Sequence, residues 1–175
     1  MDLQKLGSGD IPEKIHAVIE IPAYSRVKYE YDKDIGAVFV DRVLFSQVNY
    51  PANYGFVPQT LSLDGDPADI LVITEHEIAP GSVIKCRLLG ALVTEDDAGI
   101  DEKYVTVPID KVDPLYKKVQ SIDDLPQITL DRIKEFNLTY KNLEEGKWVK
   151  VKEWIGKDEA SQRLQEAVER FEKEG

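Results

Sequence analysis

The sequence predicts an α+β protein whose core is a twisted sheet or a small barrel. Strand patterns fill the first two thirds of its 175 residues, where short β-branched and aromatic runs are bounded by Gly, Pro and Asp turns. Two amphipathic helices follow, in residues 127–142 and 159–172. No repeat or long linker interrupts residues 1–175, which we expect to form one domain.

The strands are predicted from their alternation and from the turns around them. The last strand is indicated by lysines that alternate with Val149 and Val151. The predicted strands are residues 16–21, 28–31, 37–40, 42–44, 70–73, 83–93, 104–107 and 147–152.

Each helix is predicted from one apolar face. In the first helix, Ile133, Phe136 and Tyr140 recur at i, i+3 and i+7. The second helix has one apolar side, made of Ala160, Leu164, Ala167, Val168 and Phe171.

Composition narrows the possible partners. The formal net charge is −11, from 33 acidic and 22 basic side chains, which argues against nucleic acid and an anionic membrane surface as partners. An acidic protein can still bind an anion if cations lie between them. The single cysteine, Cys86, cannot form an internal disulfide, and residues 1–14 lack the order of a signal peptide, so we expect a cytoplasmic protein.

The most informative segment is Asp-Gly-Asp-Pro-Ala-Asp at residues 64–69. Two carboxylates about 4 Å apart repel by ~4 kcal/mol at an effective dielectric constant near 20. Gly65 permits a tight turn and Pro67 favours an extended backbone at Asp66, so the three carboxylates enter a strand on a constrained chain. The alternative is an ordinary acidic turn before a strand.

A second acidic segment, residues 94–103, connects two predicted strands. If strands 70–73 and 83–93 pair antiparallel, the acidic residues of segments 64–69 and 94–103 meet at one end of the sheet. The alternative is two separate solvated turns. Convergence would require cations, and hard oxygen ligands without nearby His or Cys favour Mg²⁺ or Mn²⁺ over zinc or copper.

Several basic and tyrosine side chains could meet an anionic substrate. Lys28, Arg42 and Lys103 lie in or beside strands, Tyr54 is expected on a turn, and Tyr140-Lys141 ends the first helix. Each alone is more often a solvated or packing residue. No Walker P-loop, nucleophile elbow or dinucleotide glycine motif is present.

These residues occur together, in order, from about residue 15 to 155. The motifs are Glu20, Lys28-Tyr-Glu30, Asp41-Arg42, Tyr50-Pro-Ala-Asn-Tyr54-Gly55, Asp64-Gly-Asp66-Pro-Ala-Asp69, Pro80-Gly-Ser, Asp96-Asp97-Ala-Gly, Asp101-Glu-Lys103, Tyr140-Lys141 and Gly146-Lys-Trp-Val-Lys-Val. The set resembles the soluble family I inorganic pyrophosphatases, and the length resembles their compact bacterial form.

The resemblance implies an OB-like five-stranded β-barrel with two main flanking helices, and Mg²⁺-dependent hydrolysis of pyrophosphate to two orthophosphates without a covalent intermediate. It implies that Asp64, Asp69 and Asp101 bind the metal pair that activates water, and that Asp96, with Asp101, holds a further ion. Mn²⁺ can substitute. Asp66 would be the general base that takes a proton from the metal-bridging water.

The resemblance also assigns the remaining site residues. Glu20, Glu30 and Asp97 would complete the acidic shell. The phosphate oxygens would be held by Lys28, Arg42, Tyr54, Lys103, Tyr140 and Lys141. The bacterial relatives assemble as hexamers, so a homo-oligomer is expected.

The sequence departs from the family pattern in two places. Asp97 stands where glutamate is common, which shortens that arm by one methylene, and residues 134–139 lack histidines often found there. The second departure affects the expected oligomer contact rather than catalysis.

Two other classes of function are compatible with parts of the sequence. A non-enzymatic Ca²⁺-binding module would explain the acidic clusters but not Lys28, Arg42, Lys103 and Lys141. An oligonucleotide-binding barrel is disfavoured by the net charge of −11.

Overall fold

The computed structural model describes residues 5–174, so the ends of the predicted domain, residues 1–4 and Gly175, lie outside it, as does the start of segment 1–14. The α+β class is confirmed. The strands are β1 Gly9–Asp10, β2 Lys14–Ile21, β3 Val27–Asp32, β4 Ala37–Val43, β5 Asn53–Phe56, β6 Asp69–Val72, β7 Val83–Asp96, β8 Gly99–Pro108 and β9 Val149–Gly156; the helices are α1 Gln127–Thr139 and α2 Lys157–Glu174.

Five strands close into a barrel. β2 pairs with β5 and with β7, and the ring is completed through β6 and β8, which confirms the OB-like core. Its interior is filled by fully buried side chains such as Ile15, Ile70, Leu88 and Tyr104, and Leu164 of α2 joins this cluster. α1 packs on a second apolar cluster, so the two helices flank the barrel.

The pairing predicted between strands 70–73 and 83–93 is wrong, because β8 lies between them. β6 runs parallel to β8, with Asp69 opposite Lys103, and β8 pairs antiparallel with β7. β7 is long enough to form a tight hairpin with β8, in which only Asp97 and Ala98 separate the strands. The acidic segments 64–69 and 94–103 therefore come together because β6 and β8 are adjacent and parallel. They lie at the barrel end where both of these strands begin.

The β3–β4 hairpin forms a separate two-stranded sheet. The predicted strands 37–40 and 42–44 are the single strand β4, whereas Tyr54, expected on a turn, lies in β5. Tyr140, expected within the first helix, follows α1 as its C-cap. No helix within residues 5–174 combines the length and apolar composition needed to cross a membrane.

Gly55 allows β5 and β2 to approach each other closely. A Cβ atom at this position would lie 1.8 Å from the carbonyl oxygen of Val18. We expect Gly55→Ala to lower the free energy of unfolding by more than ~2 kcal/mol, because backbone must move to relieve the clash. Urea denaturation measures the change. Gly156→Ala is the matched control, since a Cβ there meets nothing within 4 Å; an equal effect of both changes would contradict this explanation.

Candidate active site

A cavity of about 530 Å³ lies at the end of the barrel where β6 and β8 begin, beside the β3–β4 hairpin and the segment that joins α1 to β9. All the predicted site residues line it except Asp97. The cavity wall therefore combines carboxylates with ammonium, guanidinium and phenol groups, a composition suited to a cation and a phosphate together.

Lys103 is at the centre of this wall. Its Nζ lies 2.5 Å from Oδ2 of Asp69, 2.5 Å from Oδ2 of Asp101 and 3.0 Å from the Tyr54 hydroxyl. Burial disfavours the ammonium, but the carboxylates of Asp101 and Asp69 outweigh it and hold the Lys103 pKa well above its usual range. Lys103 is therefore a buried ammonium whose positive charge is stabilised by two neighbouring carboxylates.

Asp101 has one oxygen without a protein partner. Its Oδ1 is buried and makes no hydrogen bond within residues 5–174. Burial raises the pKa of Asp101 above its usual range, although the Lys103 ammonium lowers it. The nearby Asp69 carboxylate adds to the rise. A buried unpaired carboxylate oxygen is costly, so this atom is suited to a bound cation.

The 64–69 turn is held by hydrogen bonds to the backbone N–H and carbonyl of Asp66. The Asp66 N–H donates to Oδ1 of Asp64 at 3.0 Å, and the Ser62 N–H donates to the Asp66 carbonyl at 2.7 Å. Gly65 has φ +92°, a conformation that favours glycine. Asp69 then begins β6, as predicted, while the Asp66 side chain is exposed at the cavity.

Glu20, near the end of β2, faces the cavity as a partly buried carboxylate. Its Oε1 accepts a 2.7 Å hydrogen bond from the Tyr31 N–H of the β3–β4 hairpin. Burial raises the pKa of Glu20 to about 7, and Asp69 and Glu30 add to the rise, although the Tyr31 bond and Lys28 oppose it. The folded protein therefore holds this proton more tightly than the unfolded chain does.

This raised pKa predicts a pH-dependent stability. Between about pH 4.5 and 7 the unfolded chain releases the Glu20 proton and the folded metal-free protein keeps it, so the free energy of unfolding falls as pH rises. Glu20→Gln stays neutral and can still accept from Tyr31. We expect its stability relative to the parent to increase by on the order of 2 kcal/mol from pH 5 to pH 8.

Urea denaturation in the presence of a chelator at both pH values measures this difference. Glu153→Gln, on the exposed part of β9, is the control and should show no comparable trend. A pH-independent difference for Glu20→Gln would contradict the assignment of the proton to Glu20.

Most of the cavity cations are paired with carboxylates. Lys28 contacts Glu30 and lies 3.5 Å from Asp41, and Lys141 Nζ lies 2.8 Å from Asp96. Burial disfavours the Asp96 carboxylate, but the Lys141 hydrogen bond and the Ala98 N–H outweigh it, so the Asp96 pKa lies below its usual range. A metal cation could replace the lysine beside one of these carboxylates, and a phosphate anion could replace the carboxylate beside one of these lysines.

Asp97 is not brought together with the other acidic residues. It lies in the β7–β8 turn, where its carboxylate accepts from Lys147 at 2.8 Å and is 43% exposed. The Lys147 hydrogen bond lowers the pKa of Asp97. Asp96 lines the cavity, whereas the neighbouring turn residue Asp97 does not. The expected convergence of Asp97 with residues 64–69 is therefore wrong.

An aromatic cluster supports Tyr54 and Tyr140. Tyr50 lies 5.4 Å from Tyr54 and 4.6 Å from Phe136, and Phe136 stacks on Tyr140 at 4.9 Å between ring centroids. Burial raises the pKa of Tyr54 well above its usual range, so its phenol is a neutral hydrogen-bonding group.

Sequence reasoning missed several cavity residues. They are Tyr29, Tyr31, Lys33, Phe56, Glu144 and Lys147. The charged segment from Glu144 to Lys147, which begins three residues after Lys141, was the available signal for two of them.

The residues present fit a divalent cation, although within residues 5–174 no three His, Cys, Asp or Glu side chains form a ready-made metal cluster. Of the carboxylate oxygens of Asp69 and Asp101, the Lys103 ammonium binds the two Oδ2 atoms. The unpartnered Oδ1 of Asp101 is a hard oxygen ligand of the type that Mg²⁺ and Ca²⁺ prefer.

Comparison with known proteins shows extensive similarity. The sequence profile of the inorganic pyrophosphatase family matches residues 17–172. The inorganic pyrophosphatase of Campylobacter jejuni is 52% identical over 171 residues, covering 98% of this chain and 99% of that protein. That of Helicobacter pylori is 50% identical over 172 residues, covering 98% and 99%.

Solved structures agree with these relatives. The inorganic pyrophosphatase of Helicobacter pylori superposes with a TM-score of 0.93 at 50% identity, covering 96% of this chain and 99% of that one. The Thermus thermophilus inorganic pyrophosphatase has a TM-score of 0.93 at 41% identity, covering 98% and 99%. A family match over most of the chain, with a common fold, leaves the non-enzymatic alternatives without support. The chain therefore belongs to the family I inorganic pyrophosphatases of bacterial type, which makes it a hydrolase of the inorganic diphosphatase class.

Proposed function

We propose that this cavity hydrolyses pyrophosphate to two orthophosphates, with Mg²⁺ as cofactor and no covalent intermediate. The observation that carries the proposal is the buried Lys103 held between Asp69 and Asp101, with Oδ1 of Asp101 left unpaired. One wall thus offers a fixed cation to a phosphate and a spare carboxylate oxygen to a metal.

The metal ligands in this proposal are Asp64, Asp69, Asp96 and Asp101, with Mn²⁺ able to substitute for Mg²⁺. When bound, such ions lower the pKa of water and neutralise charge on the attacking and leaving oxygens. Asp96 would exchange its Lys141 partner for the cation, which frees Lys141 for a phosphate oxygen.

The substrate is held by the groups that face those acids. Lys28, Arg42, Lys103 and Lys141 balance the charge of pyrophosphate. Tyr54 and Tyr140 donate neutral hydrogen bonds from the aromatic cluster, which limits their movement.

Asp66 takes the proton from the attacking water in this proposal. Its backbone is fixed by the 64–69 turn while its carboxylate remains exposed at the cavity. Glu20 and Glu30 belong to the acidic shell around it. Asp97 would reach that shell only by leaving Lys147. A hexameric assembly, a cytoplasmic location and a single domain over residues 1–175 stay predictions.

The test is phosphate release from pyrophosphate, ATP and tripolyphosphate, each with Mg²⁺ and with excess chelator. We expect release from pyrophosphate to exceed that from the other two substrates and to stop with chelator. Equal rates on ATP would contradict the substrate assignment, and chelator-resistant release would contradict the cofactor assignment.

A further inference from the structure

Arg42 is held by a carboxylate that lies 102 residues away in the sequence. Oε1 and Oε2 of Glu144 lie 2.9 and 3.2 Å from its Nη2, and the Glu144 side chain is only 13% exposed. Asp41 accepts from Nη1. The Nε of Arg42 is buried and has no hydrogen-bond partner within residues 5–174.

This contact matters because of where Arg42 sits. Its strand, β4, belongs to the separate β3–β4 sheet, so within residues 5–174 no ladder of backbone hydrogen bonds joins Arg42 to the barrel. Glu144 lies in the segment between α1 and β9, three residues after Lys141, which faces the same cavity. The ion pair therefore links the hairpin that carries Arg42 to the segment that carries Lys141, and both cations line the cavity.

We propose that Glu144 is a positioning residue, which orients the Arg42 guanidinium for a phosphate group of the substrate. The inference rests on the proposed function of Arg42. An arginine side chain has many rotamers, and fixing one before substrate arrives removes an entropic cost from binding. A guanidinium has five N–H donors, so pairing of Nη2 with Glu144 and of Nη1 with Asp41 still leaves a second N–H on Nη1 for a phosphate oxygen.

The opposite possibility is that Glu144 competes with the substrate, since both are anions on one guanidinium. The two possibilities predict KM changes of opposite sign. Loss of a positioning residue raises KM, whereas loss of a competitor lowers it.

The test compares Glu144→Gln with Glu145→Gln, its exposed neighbour, because each removes one negative charge from the same segment. We expect Glu144→Gln to raise the KM for pyrophosphate with Mg²⁺, and the Kd for orthophosphate by calorimetry, about 10-fold, with kcat changed less than ~3-fold. Glu145→Gln should change the KM, the Kd and kcat by less than ~2-fold each, since exposed surface charges interact only weakly with their neighbours.

The same change is then made in an Arg42→Met background. In that background, Glu144→Gln should raise the KM for pyrophosphate and the Kd for orthophosphate by less than a further ~2-fold, because the effects of residues that act through one group are not additive. A lowered KM, equal effects of Glu145→Gln, or the full effect in the Arg42→Met background would overturn the proposal. Phosphate release by the parent protein tests the proposed function separately, and the orthophosphate Kd tests Glu144 even if that release is absent.

Discussion

Asp66→Asn is expected to lower kcat for pyrophosphate hydrolysis at least ~100-fold, in line with the loss of a general base. The amide has nearly the same shape as the carboxylate but cannot take a proton at neutral pH. The turn should survive, because Asp66 contributes its backbone N–H and carbonyl to it. KM and Mg²⁺ affinity should therefore change much less than kcat.

Steady-state kinetics and calorimetry with Mg²⁺ measure these quantities. Asp123→Asn, an exposed residue in a 3₁₀ turn outside the cavity, is the matched control and should retain full turnover. Near-normal kcat in Asp66→Asn would end the assignment of Asp66 as base. An equal loss of Mg²⁺ affinity would instead make Asp66 a metal ligand.

Lys103→Met is expected to lower the free energy of unfolding of the metal-free protein by about 3–5 kcal/mol, because one member of a buried ion network is removed. Methionine is long, unbranched and uncharged, so it can fill the space. The carboxylates of Asp69 and Asp101 would then face each other without a cation. Hydrolysis should fall at least ~100-fold, since a buried phosphate-binding cation is lost.

Addition of Mg²⁺ should stabilise Lys103→Met more than it stabilises the parent, because the two carboxylates then lack any other counterion. Thermal unfolding with Mg²⁺ and with chelator measures this difference. The control is Lys157→Met, which breaks a surface pair with the mostly exposed Glu13 and should cost less than about 1 kcal/mol. Equal losses in the two variants would show that Lys103 acts as a surface charge.

The local features of the site were predictable because each has a short-range cause. Gly65 and Pro67 constrain the acidic turn, and alternation marks most strands. β5 was missed because Pro51 and Asn53 are residue types that favour turns, and Asn53 is the first residue of the strand. The family motifs supplied the site residues, and the cavity contains them apart from Asp97.

The sequence by itself determined the fold class, the acidic segments and the cations that could oppose them, because these follow from composition and local spacing. Only the tertiary structure decided that β8 separates β6 from β7, that Lys103 lies between Asp69 and Asp101, and that Glu144 holds Arg42. Strand order depends on which chain segments pack together across the barrel. The charge pairs depend on that order, and neither is encoded at any fixed sequence separation.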